Sequence, residues 1–306
     1  MIIVDTSRKK ILKLNWADEI KSSAKKIIHK GIKDLNNREI NRNILIHDSR
    51  KRVKNIRAIL RLIQDELGSK EYKELNTSFK NLNRKSANIR RAYVMLGIID
   101  KESTGIPTDN PNKLIGNLKS IIENRLISYQ PKINTNQILR EYLDSFYSFE
   151  KKIDGWNLKS KDFSLIKNGL FAIYDQGRCD YKLAIRQKDV SIFHELRKSA
   201  KDLFYVLEIL QKAWPPVIKG YNNQLKILTD YIGDMHDLFE FKLELSKYLK
   251  RSIPKEDKVN LFKELDKRID ALMILVNQLG GKVYTEKTKS FIYRINKITR
   301  LSINEI

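Results

Sequence analysis

Apolar residues recur at three- and four-residue spacings along nearly the whole chain, while alternating apolar and polar runs are few and short. That period predicts an all-α protein. Gly68-Ser69, Gly105-Ile106-Pro107 through Pro111, Pro131, Asp154-Gly155, Pro215-Pro216, Gly233, Ser252-Ile253-Pro254 and Gly280-Gly281 interrupt the pattern. Read as helix breakers, they leave about ten helices. The segment 152–161, centred on Asp154-Gly155, falls at mid-chain. It is the expected boundary between two halves, residues 1–153 and 154–306.

The halves share a motif. Residues 47–54 read His-Asp-Ser-Arg-Lys-Arg-Val-Lys, and residues 194–201 read His-Glu-Leu-Arg-Lys-Ser-Ala-Lys. The second copy starts 147 residues after the first, close to half of the 306-residue chain. An offset of that size suggests duplication of a helical unit, with the two units related by a pseudo-twofold axis. On a helix, His47, Arg50, Lys51 and Lys54 share one face, continued by Arg57 and Arg61. Val53, Ile56, Ile59, Leu60 and Ile63 share the other. In the second copy His194, Arg197, Lys198 and Lys201 oppose Leu196, Ala200, Leu203, Val206, Leu207 and Leu210. A basic stripe on one amphipathic helix is ordinarily a solvated face. Like charges three and four residues apart repel. Keeping them in two matched copies favours an anion held across the stripes, with Arg offering a planar fork to phosphate oxygens and Lys a mobile charge.

Charge strengthens this expectation. The chain carries 60 Lys and Arg against 37 Asp and Glu, a formal net charge of +23, which calls for a polyanionic partner without naming one. Apolar residues make up 41%, enough for a packed core, so wholesale disorder is excluded. A single cysteine, Cys179, excludes an internal disulfide framework and a cysteine zinc cluster. It reads as a buried or inert thiol. No apolar run approaches the ~20 residues of a membrane span. The opening MIIVDTSRKKILKLNW has the wrong order of apolar and charged residues for a secretory signal, so the expectation is a soluble, cytoplasmic chain.

At these residues the sequence resembles the CHAD family, the conserved histidine α-helical domain. Phe193–Val217 (FHELRKSAKDLFYVLEILQKAWPPV) and Tyr231–Leu238 (YIGDMHDL) resemble the family's second unit. Gly169–Arg178 (GLFAIYDQGR) resembles the segment before it, and Ile46–Gly68 (IHDSRKRVKNIRAILRLIQDELG) resembles the first unit. The resemblance covers most of the chain. It implies two four-helix-bundle-like units about a pseudo-twofold axis, and non-catalytic binding of inorganic polyphosphate at a basic surface and central groove. Association with polyphosphate granules would follow. There is one departure. The family usually places an Asp after the second helix of each unit, as in His236-Asp237, but the first half reads Ser86-Ala87-Asn88-Ile89-Arg90-Arg91.

The candidate polyphosphate ligands are His47, Arg50, Lys51, Lys54, Arg57, Arg61, Arg90, Arg178, Lys182, His194, Arg197, Lys198 and Lys201. Arg178 and Lys182, with Arg186, precede the second motif at four-residue spacing and either line the groove or form a solubilising face. Lys26, Lys30 and Lys33 are weaker counterparts in the first half. The histidines either hold the units together or donate to phosphate when protonated. They lack the neighbours of a metal site, and nothing calls for a cofactor. Tyr174 and Tyr205 either pack beside the groove or take the commoner place of a tyrosine, in the core or at an interface. Trp16, Trp156 and Trp214 are too scattered to stack bases and are expected at helix junctions.

Two rival readings remain. The same surface could bind nucleic acid weakly and without sequence preference, although no reader motif is present. An enzyme on phosphate chains would need His194 or His236 with Asp237, and no carboxylate cluster suited to Mg²⁺ stands out. The sequence does not fix the oligomeric state.

Overall fold

Each amphipathic segment becomes a helix that turns its apolar stripe inward. The structure, a computed structural model, describes residues 14–102, 116, 119–124, 135–248 and 255–301. Its first helices are α1 (Trp16–Asn36), α2 (Arg42–Leu62), the four-residue α3 (Gln64–Leu67), α4 (Ser69–Lys85) and α5 (Ala87–Glu102). Then come α6 (Thr135–Asp154), α7 (Ser164–Gln187), α8 (Val190–Leu210), a 3-10 turn at Gln211–Ala213, α9 (Pro215–Tyr248), α10 (Lys255–Val283) and α11 (Thr288–Leu301). Ten helices reach seven residues, and no strand occurs among the described residues.

Local chemistry sets the helix ends around the two motifs. The Asn41 side chain accepts from the backbone N–H of Asn43 at 2.8 Å and caps α2. Asp189 does the same for α8, accepting from the Ser191 N–H at 2.7 Å. Such caps satisfy donors that the first turn leaves free. Lys188, just before it, has a left-handed φ of 53° and ends α7. Proline at the first turn of α9 loses no helical hydrogen bond.

The apolar stripes predicted for α2 and α8 are core. Val53, Ile56, Ile59, Leu60 and Ile63 are buried, as are Leu196, Ala200, Leu203, Val206, Leu207 and Leu210. α2 packs directly on α8, so the two motif helices are neighbours. α8 lies against α7 and α9, α10 against the outside of α9, and α1 against α2 and α6. One buried cluster runs through both halves. Each fully buried aliphatic side chain contributes ~1.5–3 kcal/mol, so these stripes hold the helices together without help from the basic faces. α7 crosses the end of α2 backbone to backbone: a Cβ on Gly169 would sit 2.0 Å from the Leu62 carbonyl oxygen.

Several expected breaks are real. Gly68 has φ 76° and separates α3 from α4, and α6 ends at Asp154, just before Gly155. Two are not. Gly233 lies inside α9 and Gly280-Gly281 inside α10. These glycines make room rather than turns. A Cβ on Gly233 would come within 2.8 Å of the Arg197 guanidinium, and one on Gly280 within 2.6 Å of the Tyr181 ring. The breaks expected at 105–111, 131 and 252–254 lie outside the described residues. Trp16 and Trp156 are buried as expected, whereas Trp214 is 47% exposed where the chain turns into α9. Cys179 is exposed, not buried. It lies two residues after Gly177, the position on α7 that packs on Tyr284. No helix of the described residues is long and apolar enough to cross a membrane.

Candidate anion-binding cavity

The basic faces of α2 and α8 turn toward one cavity of about 1820 Å³. Its other walls come from α5, α9 and α10. Pockets for small molecules usually enclose ~300–1,000 Å³, so this space suits a longer ligand. Eleven Lys and Arg residues line it against six Asp and Glu.

Lys54 sits where the cations converge. Its side chain is exposed to the cavity, and among the described residues it has no ion pair or hydrogen bond. Loss of bulk water, then the charges of Arg197, Arg50, Lys201 and Arg90, pull its pKa down to about 8. α2, α5 and α8 therefore all bring positive charge to one point. Lys201 is pulled down too, by burial first, with Asp230 opposing at 3.9 Å.

Two arginines of the motif are fixed from behind. Arg50 donates through Nη1 to the Asn83 carbonyl and, at 2.8 Å, to the Ser86 hydroxyl. The buried Ser86 hydroxyl meets Tyr142 Oη at 3.0 Å, and Tyr142 donates to Asn83 Oδ1 at 2.8 Å. Arg197 donates from Nε to the Thr229 carbonyl at 3.4 Å and rests on Gly233. Both arginines are thus oriented by neutral groups. Arg90 stands 147 residues before Asp237, and both face the same cavity.

His47, His194 and His236 also line the cavity. His194 and His236 have ring centroids 5.2 Å apart. Burial, reinforced by His236, lowers the pKa of His194; burial, reinforced by Arg90, lowers that of His47. Both are therefore neutral at pH 7 and gain charge on acidification. Among the described residues no group of three or more His, Cys, Asp or Glu is arranged to hold a metal ion.

Of the residues singled out from sequence, His47, Arg50, Lys51, Lys54, Arg90, His194, Arg197 and Lys201 line the cavity. Five lie elsewhere. Arg57 donates to Asn76 of α4 at 2.8 Å, and Arg61 pairs with Asp202 across the contact of α2 with α8. Lys198 points outward and pairs with Glu195 at 2.6 Å. Arg178 and Lys182 are on α7, outside the cavity. Tyr205 is at the cavity, but Tyr174 is buried elsewhere, stacked on Phe291 at 3.9 Å. The pattern did not single out Lys101, Lys188, Lys226 and Arg268, which also line the space. Their positions follow from helix packing and carry no local signal.

Gly233→Ala tests the placement of Arg197. Alanine favours the helix by up to about 1 kcal/mol, so the fold should persist. The guanidinium must move, and anion affinity should fall several-fold with no loss of thermal stability, as read by titration beside a melting curve.

The family model described as CHAD domain matches residues 38–245, which include both motifs and the α2, α5, α8 and α9 walls. No curated protein matches the chain.

Proposed function

The chain belongs to the CHAD domain family, and from that premise we propose that it binds inorganic polyphosphate, without catalysis, in the cavity between α2 and α8. The observation that carries this reading is the convergence of Arg50, Lys54, Arg90, Arg197 and Lys201 on one space with no anion to balance Lys54. Like charges gathered in this way repel one another until a ligand supplies the missing charge. A flexible phosphate chain can reach all of these groups at once. Arg50 and Arg197, held from behind, present forks to phosphate oxygens; Lys51, Lys54 and Lys201 supply mobile charge. Arg90 continues the path where the family's usual acid is missing. The two halves, 1–153 and 154–306, act as two units of one binding surface, and targeting or scaffolding on polyphosphate is the role that fits a site without chemistry.

Proton linkage tests this reading. A bound polyanion favours the charged form of Lys54, so binding takes up a proton once the free protein has begun to lose it. Affinity should be level around pH 7 and fall as pH rises through 8, with a limit of about ten-fold per pH unit for one proton. Lys54→Arg, always charged, should remove that fall. On acidification below the ordinary imidazole range, charging of His47 and His194 should strengthen binding. Titration with long-chain polyphosphate across pH 5–9.5 reads both effects; a profile unchanged by Lys54→Arg contradicts the placement of Lys54 at the ligand.

A further inference from the structure

A bare phosphate chain has no apolar surface, yet apolar side chains line part of the cavity among the charges. Tyr93 and Val94 of α5, Phe239 of α9 and Leu272 of α10 line the same space as Lys54 and Arg197. They are only partly buried and pack against the core from the cavity side. Glu240, next to Phe239, also lines the cavity, and among the described residues it has no ion pair or hydrogen bond. The wall therefore offers aromatic faces and an unused acceptor, beside a cationic floor.

We propose that the cavity also takes nucleoside oligophosphates, with the phosphates on the α2 and α8 cations and the nucleoside against the Tyr93, Phe239 and Leu272 wall. The inference rests on the polyphosphate reading for its floor and adds a ligand class through its wall. Aromatic side chains stack on bases of any identity. Glu240 is an acceptor for donors that inorganic phosphate lacks, a ribose hydroxyl or an exocyclic amino group. A lipid diphosphate would use the apolar residues but leave the carboxylate facing hydrocarbon, at a desolvation cost. The free carboxylate thus selects the nucleoside over the lipid.

ATP and inorganic tripolyphosphate carry the same number of phosphates and separate the wall from the floor. Titrating the full chain at low salt, without divalent ions, should give ATP an affinity about ten-fold or more above that of tripolyphosphate. Phe239→Leu keeps an apolar side chain and removes the ring. It should erase most of that advantage and leave tripolyphosphate and long-chain polyphosphate binding unchanged. Glu240→Gln, which alters no apolar packing, should lower ATP affinity alone. Equal affinity for ATP and tripolyphosphate, or equal losses for both in Phe239→Leu, overturns the inference while leaving the polyphosphate reading intact. Failure of long-chain polyphosphate to bind overturns both.

Discussion

The double variant Lys54→Glu/Lys201→Glu should lose at least about 100-fold in affinity for long-chain polyphosphate while remaining folded, since each charged hydrogen bond contributes ~1.5–3 kcal/mol. Both side chains face the cavity, and neither belongs to the apolar stripes that hold α2 against α8. Reversal does more than remove a contact: it puts a repulsive charge where the phosphate chain must pass. The same change relieves the free protein. In the wild type the charged Lys54 is penalised fully below about pH 8, and the penalty fades as pH rises toward 10.5, the ordinary value it keeps when unfolded. A carboxylate at position 54 is instead attracted by Arg50, Arg90 and Arg197. Lys54→Glu alone should therefore melt a few degrees higher than wild type at pH 7 without ligand, about 2–4 °C for each kcal/mol gained. Tighter folding with weaker binding is the signature of a site that stores charge for a ligand. Loss of both would mean that the cations serve the fold.

Salt should have an effect of similar size. If the phosphate chain engages six or more cations, affinity should fall by roughly 10³-fold between 50 and 200 mM monovalent salt, by analogy with counterion release from nucleic acid. The five converging cations, with Lys51 beside them, supply that number. The logarithmic slope should be shallower by about two in the double variant, because two contacts are gone. A nearly flat salt dependence in wild type would rule out a binding mode made of charge contacts.

The parts of this structure that depend on helical period alone were legible in the sequence. Val53 through Ile63 and Leu196 through Leu210 read as core stripes and are core. The basic stripe was readable as far as Lys54. Period could not tell where a second helix crosses, and that crossing engages Arg61 with Asp202. Gly233 and Gly280 looked like breakers because sequence shows a missing side chain but not what fills its place. The support of Arg50 by Asn83, Ser86 and Tyr142 spans 33 to 92 residues of chain and has no local pattern to betray it. The apolar wall from α5, α9 and α10 was equally hidden, since it exists only once three separate helices meet. What the sequence carried was the chemistry of the floor; what it lacked was the geometry that encloses it.

Polyphosphate binding in the cavity requires that the cations be gathered inward for a slender phosphate chain, not spread over the surface for any polyanion. Competition between long-chain polyphosphate and single-stranded DNA, at matched phosphate concentration and near-physiological salt, tests it most directly. Polyphosphate spaces its charges more closely than DNA, whose phosphates stand a sugar apart, so it sets more of them on the α2 and α8 cations at once. Polyphosphate should displace bound DNA completely, and DNA should not displace polyphosphate. Equal displacement in both directions would contradict the account and leave a basic surface that binds polyanions without distinction.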